Sequence, residues 1–224
     1  MNLGPRLKTI YNWIKQGANH VVDIGADHAF LSINLIKNNR VKSVSNIEIN
    51  ELPLQNGYKN VVNAQLTNKI KFYLNNGLKN LTLNPEPEYI CISGMGADNI
   101  IEIISNNLTN QPHFYLLQAN TDNDKLRKFL FTNFFTIKDE MIVYENDHYY
   151  ELMMVEQSDV LVNFTLQDLY LGPILQTKPN DIFKQYLLEK YHYLNCLPLE
   201  KINSNLKLEY QVIKDFLYEK KWIN

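Results

Sequence analysis

The sequence predicts an α/β fold: a Rossmann-like, mostly parallel, doubly wound sheet with an antiparallel last strand, followed by an α-helical, coiled-coil-like C-terminal unit. Three observations carry this. Five short β-type runs alternate with helical patterns as far as Asn133. Two consecutive β-rich runs then meet at a polar turn, and beyond Ser158 the apolar spacing is helical. Alternation of this kind gives right-handed βαβ units and one parallel sheet.

Taken in order, Leu3, Leu7, Ile10, Tyr11 and Ile14 recur at helical spacing before Gly17, which reads as a C-cap, so a helix is expected over 3–17. The β-type runs are Val21–Ile24, Val44–Ile49, Ile70–Leu74, Tyr89–Ser93 and Phe114–Gln118. Helical patterns fall at Ala29–Asn38, Leu52–Ala64, Asn99–Asn107 and Asp124–Asn133. Phe135–Tyr144 and Tyr149–Val155, joined by Glu145-Asn146-Asp147-His148, read as a hairpin that ends the sheet with an antiparallel strand. Leu171-Gly172-Pro173 and Lys178-Pro179 then interrupt the chain. Two amphipathic segments follow, Asp181–Leu197 and one running from Ile202 to Leu217, which predict an antiparallel helix pair. The expected units are therefore residues 1–158 and 159–224.

Length and composition agree, because 224 residues with 45% apolar and 21% charged side chains suit one core of ordinary size plus a smaller unit. No window approaches the roughly 18 consecutive apolar residues of a membrane span, and Met1–Ile14 lacks the uninterrupted apolar stretch of an export signal. Cys91 and Cys196 are too few and too far apart for a disulfide framework or a zinc site, which fits a reducing cytoplasm. The net charge of −2 makes no overall case for nucleic acid, but residues 1–45 hold six basic side chains against Asp23 and Asp27. Solvated helix faces would explain that excess. Arg6 and Lys8 are the candidates if RNA does.

Ligands of parallel sheets bind beyond the carboxyl ends of the strands. The first run ends in Asp23-Ile24-Gly25-Ala26-Asp27-His28-Ala29, where Asp27 stands in place of a second phosphate-binding glycine. An acid there opposes a pyrophosphate and suits a cationic cofactor, S-adenosylmethionine rather than NAD; its structural alternative is the N-cap of the next helix. Glu48, 25 residues after Asp23, can accept hydrogen bonds from a ribose diol. Asn75-Asn76-Gly77-Leu78 is either a plain turn or an adenine-flanking loop. Ser93-Gly94-Met95-Gly96 permits close backbone approach to a ligand, and Gln118-Ala119-Asn120 offers an amide to the edge of a flipped base.

In that order, Asp23 to Leu31, Glu48 with Pro53, Ser93-Gly94-Met95-Gly96, Gln118-Ala119-Asn120, Tyr150-Glu151 and Leu171-Gly172-Pro173 resemble the bacterial tRNA adenine-22 N1-methyltransferases. The resemblance implies a class I methyltransferase domain with a C-terminal coiled-coil domain, S-adenosyl-L-methionine as methyl donor and tRNA as substrate, with no metal. It places Asp23, Gly25, Asp27, His28, Glu48, Ile49, Asn76, Gly77, Gly94 and Met95 around the cofactor, and Asp27 and Asn120 at the methyl transfer. Three positions depart from the family pattern: Asn75 and Ala97 stand where it has glycine, and Ala119 where it has proline. A methyltransferase for a small molecule would share every cofactor feature, and a catalytically silent RNA-binding protein would keep the basic N-terminal face.

Overall fold

The computed structural model describes residues 3–83, 85–107, 112–198 and 203–223. Its first helix, α1 (Pro5–Trp13), begins where Pro5 presets the helical φ after an extended Gly4, and it ends at Ile14, short of Gly17. The chain then alternates β1 (Ala18–Ile24), α2 (Phe30–Lys37), β2 (Val41–Glu48), α3 (Glu51–Asn63), β3 (Ile70–Leu74), β4 (Tyr89–Met95), α4 (Ala97–Ser105), β5 (Phe114–Ala119) and α5 (Asn123–Thr132). The hairpin is β6 (Phe135–Glu145) and β7 (His148–Gln157). Asn146 and Asp147 both have positive φ at its tip, as a two-residue turn matched to the strand twist requires.

The seven strands lie in the order β3-β2-β1-β4-β5-β7-β6. The first five are parallel, and β7 is antiparallel to both β5 and β6, so the hairpin folds back and leaves β6 at the edge. Because β1 and β2 carry near-continuous buried runs, both sheet faces are covered. Ile10, Ile14, Leu31, Leu35 and Val61 of α1 to α3 pack on Val21, Val44, Cys91 and Leu116 of one face. Ile100, Leu126, Leu130 and Phe131 of α4 and α5 pack on Val22, Ile90, Ile92 and Leu117 of the other.

Beyond the sheet come α6 (Leu166–Leu171), α7 (Asp181–Asn195) and α8 (Ser204–Glu219). Thr165 and Asp168 form a reciprocal capping box at the start of α6, and Asn180 and Asn203 cap α7 and α8. Ile202, where the last helix was expected to begin, lies outside the described residues. The ring contact Phe183–Phe216 pairs the start of α7 with the end of α8, and Tyr191–Tyr210 pairs the end of α7 with the first half of α8, so the two helices run antiparallel as expected. Their inner residues Phe183, Leu187, Ile213 and Leu217 join the same apolar cluster as α4 and α5.

A buried ionic network joins these helices to the sheet. The Arg127 guanidinium donates to Glu140 at 2.9 Å, to Glu151 at 2.6 Å and to the Leu169 carbonyl at 3.1 Å. Glu140 also accepts from the Ile174 backbone N–H, while Glu151 accepts from Tyr186, which in turn receives a bond from Lys190. Burial works to raise the Glu151 carboxyl, but Arg127, Lys190 and Tyr186 outweigh it and hold the group below its ordinary value. Among the described residues, no helix is long and apolar enough to cross a membrane.

Candidate active site

The carboxyl ends of β1 to β4 open on one cleft. Gly25, just past β1, has φ +79° and donates its N–H to the Ile47 carbonyl at 2.9 Å. A Cβ there would lie 2.6 Å from the Met95 methyl, so only glycine leaves the turn open between β1 and β4. Asp23 is buried beneath this turn. Burial first, and then the charge of Glu48, push its carboxyl up to about 7.

Asp27 is exposed in the loop after β1, 3.3 Å from His28, whose ring stacks on Phe30. The N-cap of α2 is Ala29, in the left-handed conformation and with no side-chain capping bond, so the capping alternative for Asp27 is not what the chain adopts. Asp27 is left facing the cleft. At the end of β2, Glu48 is only 7% exposed. Burial and the Asp27 charge raise its carboxyl, opposed by hydrogen bonds from the backbone N–H groups of Asp27 and Ile49. After β3, the Asn75 side chain donates to the carbonyls of Gly77 and Lys79 at 2.9 and 3.1 Å, so this asparagine closes its own turn and leaves Asn76 and Gly77 to line the cleft.

The cleft holds two adjoining cavities. One, of about 500 Å³, is lined by Gly25, Asp27, Glu48, Ile49, Asn76, Gly77, Gly94 and Met95. Asp23 and His28 line its neighbour of about 410 Å³ together with Arg6; Gly25, Asp27 and Ser93 face both. All ten residues expected at the cofactor thus line one or other of two cavities that share Gly25, Asp27 and Ser93. Asn120 lines neither, facing instead a third, polar cavity of about 240 Å³ beside α5 and the ionic network.

Gln118, the last polar side chain of an otherwise apolar β5, ties the two regions together. Its Oε1 accepts from Arg6 Nη1 at 2.9 Å, from Ser93 Oγ at 3.0 Å and from the Gly94 N–H at 3.0 Å, and its Nε2 donates to Asn120 Oδ1 at 3.0 Å. Gln118 has no role that the sequence alone reveals, and its one signal is a polar residue in a run buried from Tyr115 to Ala119. Arg6 and Lys8, both expected toward RNA, part company. Lys8 is exposed on α1, whereas the half-buried Arg6 points to the strand ends. Arg127 and Glu140 were missed, because single charges on a helix and a strand give no sequence sign of pairing.

Comparison with known proteins bears on this arrangement. The family model for TrmK, tRNA (adenine(22)-N(1))-methyltransferase, matches residues 21–221. The tRNA (adenine(22)-N(1))-methyltransferase of Bacillus subtilis is 28% identical over 200 residues, 86% of this chain and 83% of that protein. Streptococcus pneumoniae Sp1610, solved in complex with S-adenosyl-L-methionine, has a TM-score of 0.87 and 30% identity, covering 96% of this chain and 100% of that one. M. capricolum TrmK, solved with S-adenosyl-homocysteine, has a TM-score of 0.80 and 28% identity over 98% of this chain and 97% of that one. With its motifs in register along the strand ends and the match running from β1 to beyond α8, the chain belongs to the TrmK family of tRNA (adenine(22)-N(1))-methyltransferases.

Proposed function

We propose that this protein transfers a methyl group from S-adenosyl-L-methionine to N1 of adenine 22 in tRNA, acting in the cytoplasm. The observation that carries the reading is the continuity of one cleft from Glu48, suited to a ribose diol, past Gly25 to Gly94, whose carbonyl is bonded to the base-facing candidate Asn120. The residues present fit the cofactor. Asp23, Asp27 and Glu48 suit a ligand with a sulfonium and an ammonium, and the Gly25 and Gly94 turns leave room that a Cβ would occupy. Bound there, the cofactor supplies an activated methyl group.

The protein's own contribution is placement. Neutral adenine carries an in-plane lone pair on N1 and no proton there, so no general base is needed, and alignment provides the rate effect. An amide has two N–H donors and two lone pairs. Asn120 spends one donor on the Gly94 carbonyl and one acceptor on Gln118, which leaves one of each for a base edge. The carboxylate of Asp27 and the Asn120 carbonyl then favour the cationic product. The unpaired or flipped adenine reaches this point from the side of the third cavity, and residues 159–224, with Lys8, help hold the tRNA.

The test is mass spectrometry of tRNA nucleosides after incubation with S-adenosyl-L-methionine, beside a transcript whose adenine 22 is replaced. N1-methyladenosine in the first and none in the second is expected. Methylation of both transcripts, or of neither, overturns the assignment.

A further inference from the structure

Gln118 and Asn120 place two side-chain amides in series, and the groups at either end fix which way each amide faces. The Gln118 Oε1 meets Arg6 Nη1 at 2.9 Å and the Gly94 N–H at 3.0 Å, two groups that can only donate, with Ser93 Oγ also at 3.0 Å. Turning that amide over would set N–H against N–H at a fully buried residue. The Gln118 Nε2 is therefore left to donate, and the Asn120 atom that it meets at 3.0 Å must be the carbonyl oxygen. At the other end the Gly94 carbonyl can only accept, so the Asn120 Nδ2 faces it at 2.9 Å. Both ends give the same answer. An exposed asparagine is ordinarily free to turn its amide over; Asn120, though exposed, is not.

Locked in this way, Asn120 keeps one N–H and one carbonyl lone pair, and it borders the third cavity. An adenine whose N1 is to attack a methyl group cannot be held by its Watson–Crick edge, because a hydrogen bond to N1 occupies the lone pair that reacts. The opposite edge offers N7 as an acceptor and one N–H of the 6-amino group as a donor, the complement of what Asn120 has free. We propose that Asn120 holds the target adenine by N7 and the 6-amino group, and that Gln118 is the positioning residue that fixes the direction of the amide. The inference deepens the N1-methylation reading above and rests on it. N1 is left uncovered. The arrangement also chooses among bases, since guanine shows two acceptors along that edge and the pyrimidines have no N7. Methylation at N1 puts positive charge on the ring and makes the amino N–H a better donor, so the Asn120 carbonyl holds the product more strongly than the substrate.

The test uses tRNA transcripts with adenine or 7-deazaadenine at position 22, the second of which keeps N1 and the amino group and has a C–H in place of N7. Single-turnover methylation by the full chain compares wild type with Asn120→Ala, Asn120→Asp and Gln118→Glu, and cofactor calorimetry on each shows that it is folded. Wild type should methylate 7-deazaadenine about tenfold more slowly, the scale of one bond of a bidentate amide–adenine pair. Asn120→Ala has neither bond and should treat the two bases alike. Asn120→Asp keeps an acceptor for the amino group but has no donor for N7, so it should show no preference either. Gln118→Glu offers Asn120 a carboxylate oxygen where an N–H stood, which turns the amide over and should abolish the preference although the Asn120 side chain is intact. Equal rates on the two bases by wild type, or an undiminished preference in the Asn120 variants, overturns the proposal. An undiminished preference in Gln118→Glu overturns the part given to Gln118. Wild type that leaves the adenine transcript unmethylated overturns the N1-methylation reading itself.

Discussion

The Asn120 side-chain amide donates to the Gly94 carbonyl at 2.9 Å, so the residue beyond β5 that can face a base is bonded to the β4 end that faces the cofactor cavity. The two proposed roles share one bond. Asn120→Ala removes that bond together with the proposed base-edge contact. Turnover on tRNA should fall about a hundredfold, the scale of a misplacement near 1 Å, while cofactor affinity changes by no more than a few-fold. Single-turnover methylation beside cofactor calorimetry on one preparation checks it. Loss of affinity in proportion to rate would put Asn120 in the cofactor shell.

Glu48 offers a second measurement. It is buried at the end of β2 and lines the larger cavity. Glu48→Ala should weaken S-adenosyl-L-methionine by about 1.5–3 kcal/mol, the range for hydrogen bonds to a charged group. An analogue lacking the ribose hydroxyls should show no such difference between wild type and variant. If it does, Glu48 acts through the loop and not on the ribose.

Asp23 makes the site sensitive to pH. Its carboxyl is raised from 3.8 to about 7, by burial first and then by Glu48. The native state therefore holds this proton more tightly than the unfolded chain does. The stability so gained is complete below about pH 4 and is lost as pH rises through about 7. Melting of the ligand-free protein between pH 5 and 8 should show that decline, and Asp23→Asn should flatten it. A cationic ligand favours the ionised carboxylate, so binding near pH 7 should release a proton and tighten as pH rises. Calorimetry in two buffers of different ionisation enthalpy measures the release. Asp23→Asn that still releases it would assign the proton elsewhere.

Much of this was legible in the sequence, for identifiable reasons. Strands β4 and β5 announce themselves as continuous apolar runs because both sheet faces are covered there, β1, β2 and the more exposed β3 as shorter β-rich runs, and Asp23, Gly25, Glu48 and Gly94 fall at or just past the strand ends by register. What the sequence could not show depends on side chains meeting across distant segments. Arg6 and Gln118 are 112 positions apart, so the basic count of the N-terminus placed Arg6 toward RNA while the fold turns it inward. Asp27 reads as a helix cap by residue preference, but the loop after Gly25 runs on to Ala29 before α2 begins. Asn75 replaces the glycine expected there and yet keeps the turn, because its own side chain supplies the bonds that close it.

The last prediction concerns how the C-terminal helices are held. Arg127 is buried with Glu140 and Glu151, and through them it reaches the Ile174 N–H and the Tyr186 hydroxyl beyond the sheet. Removing one partner of a buried ionic group leaves uncompensated charge, which costs about 3–5 kcal/mol. Arg127→Met keeps much of the volume but strands two carboxylates, so it should lower the melting temperature by roughly 10 °C, given about 2–4 °C per kcal/mol for a chain of this size. Neutralising the carboxylates as well, in Arg127→Met with Glu140→Gln and Glu151→Gln, should recover most of that loss, since a neutral buried group costs far less than a charged one. Lys190 would then keep only Glu209 and Tyr186 as partners. Differential scanning calorimetry of wild type, single and triple variants decides it. A triple variant less stable than Arg127→Met would show that the net attraction of the network, and not relief of stranded charge, fastens α6 to α8 to the sheet.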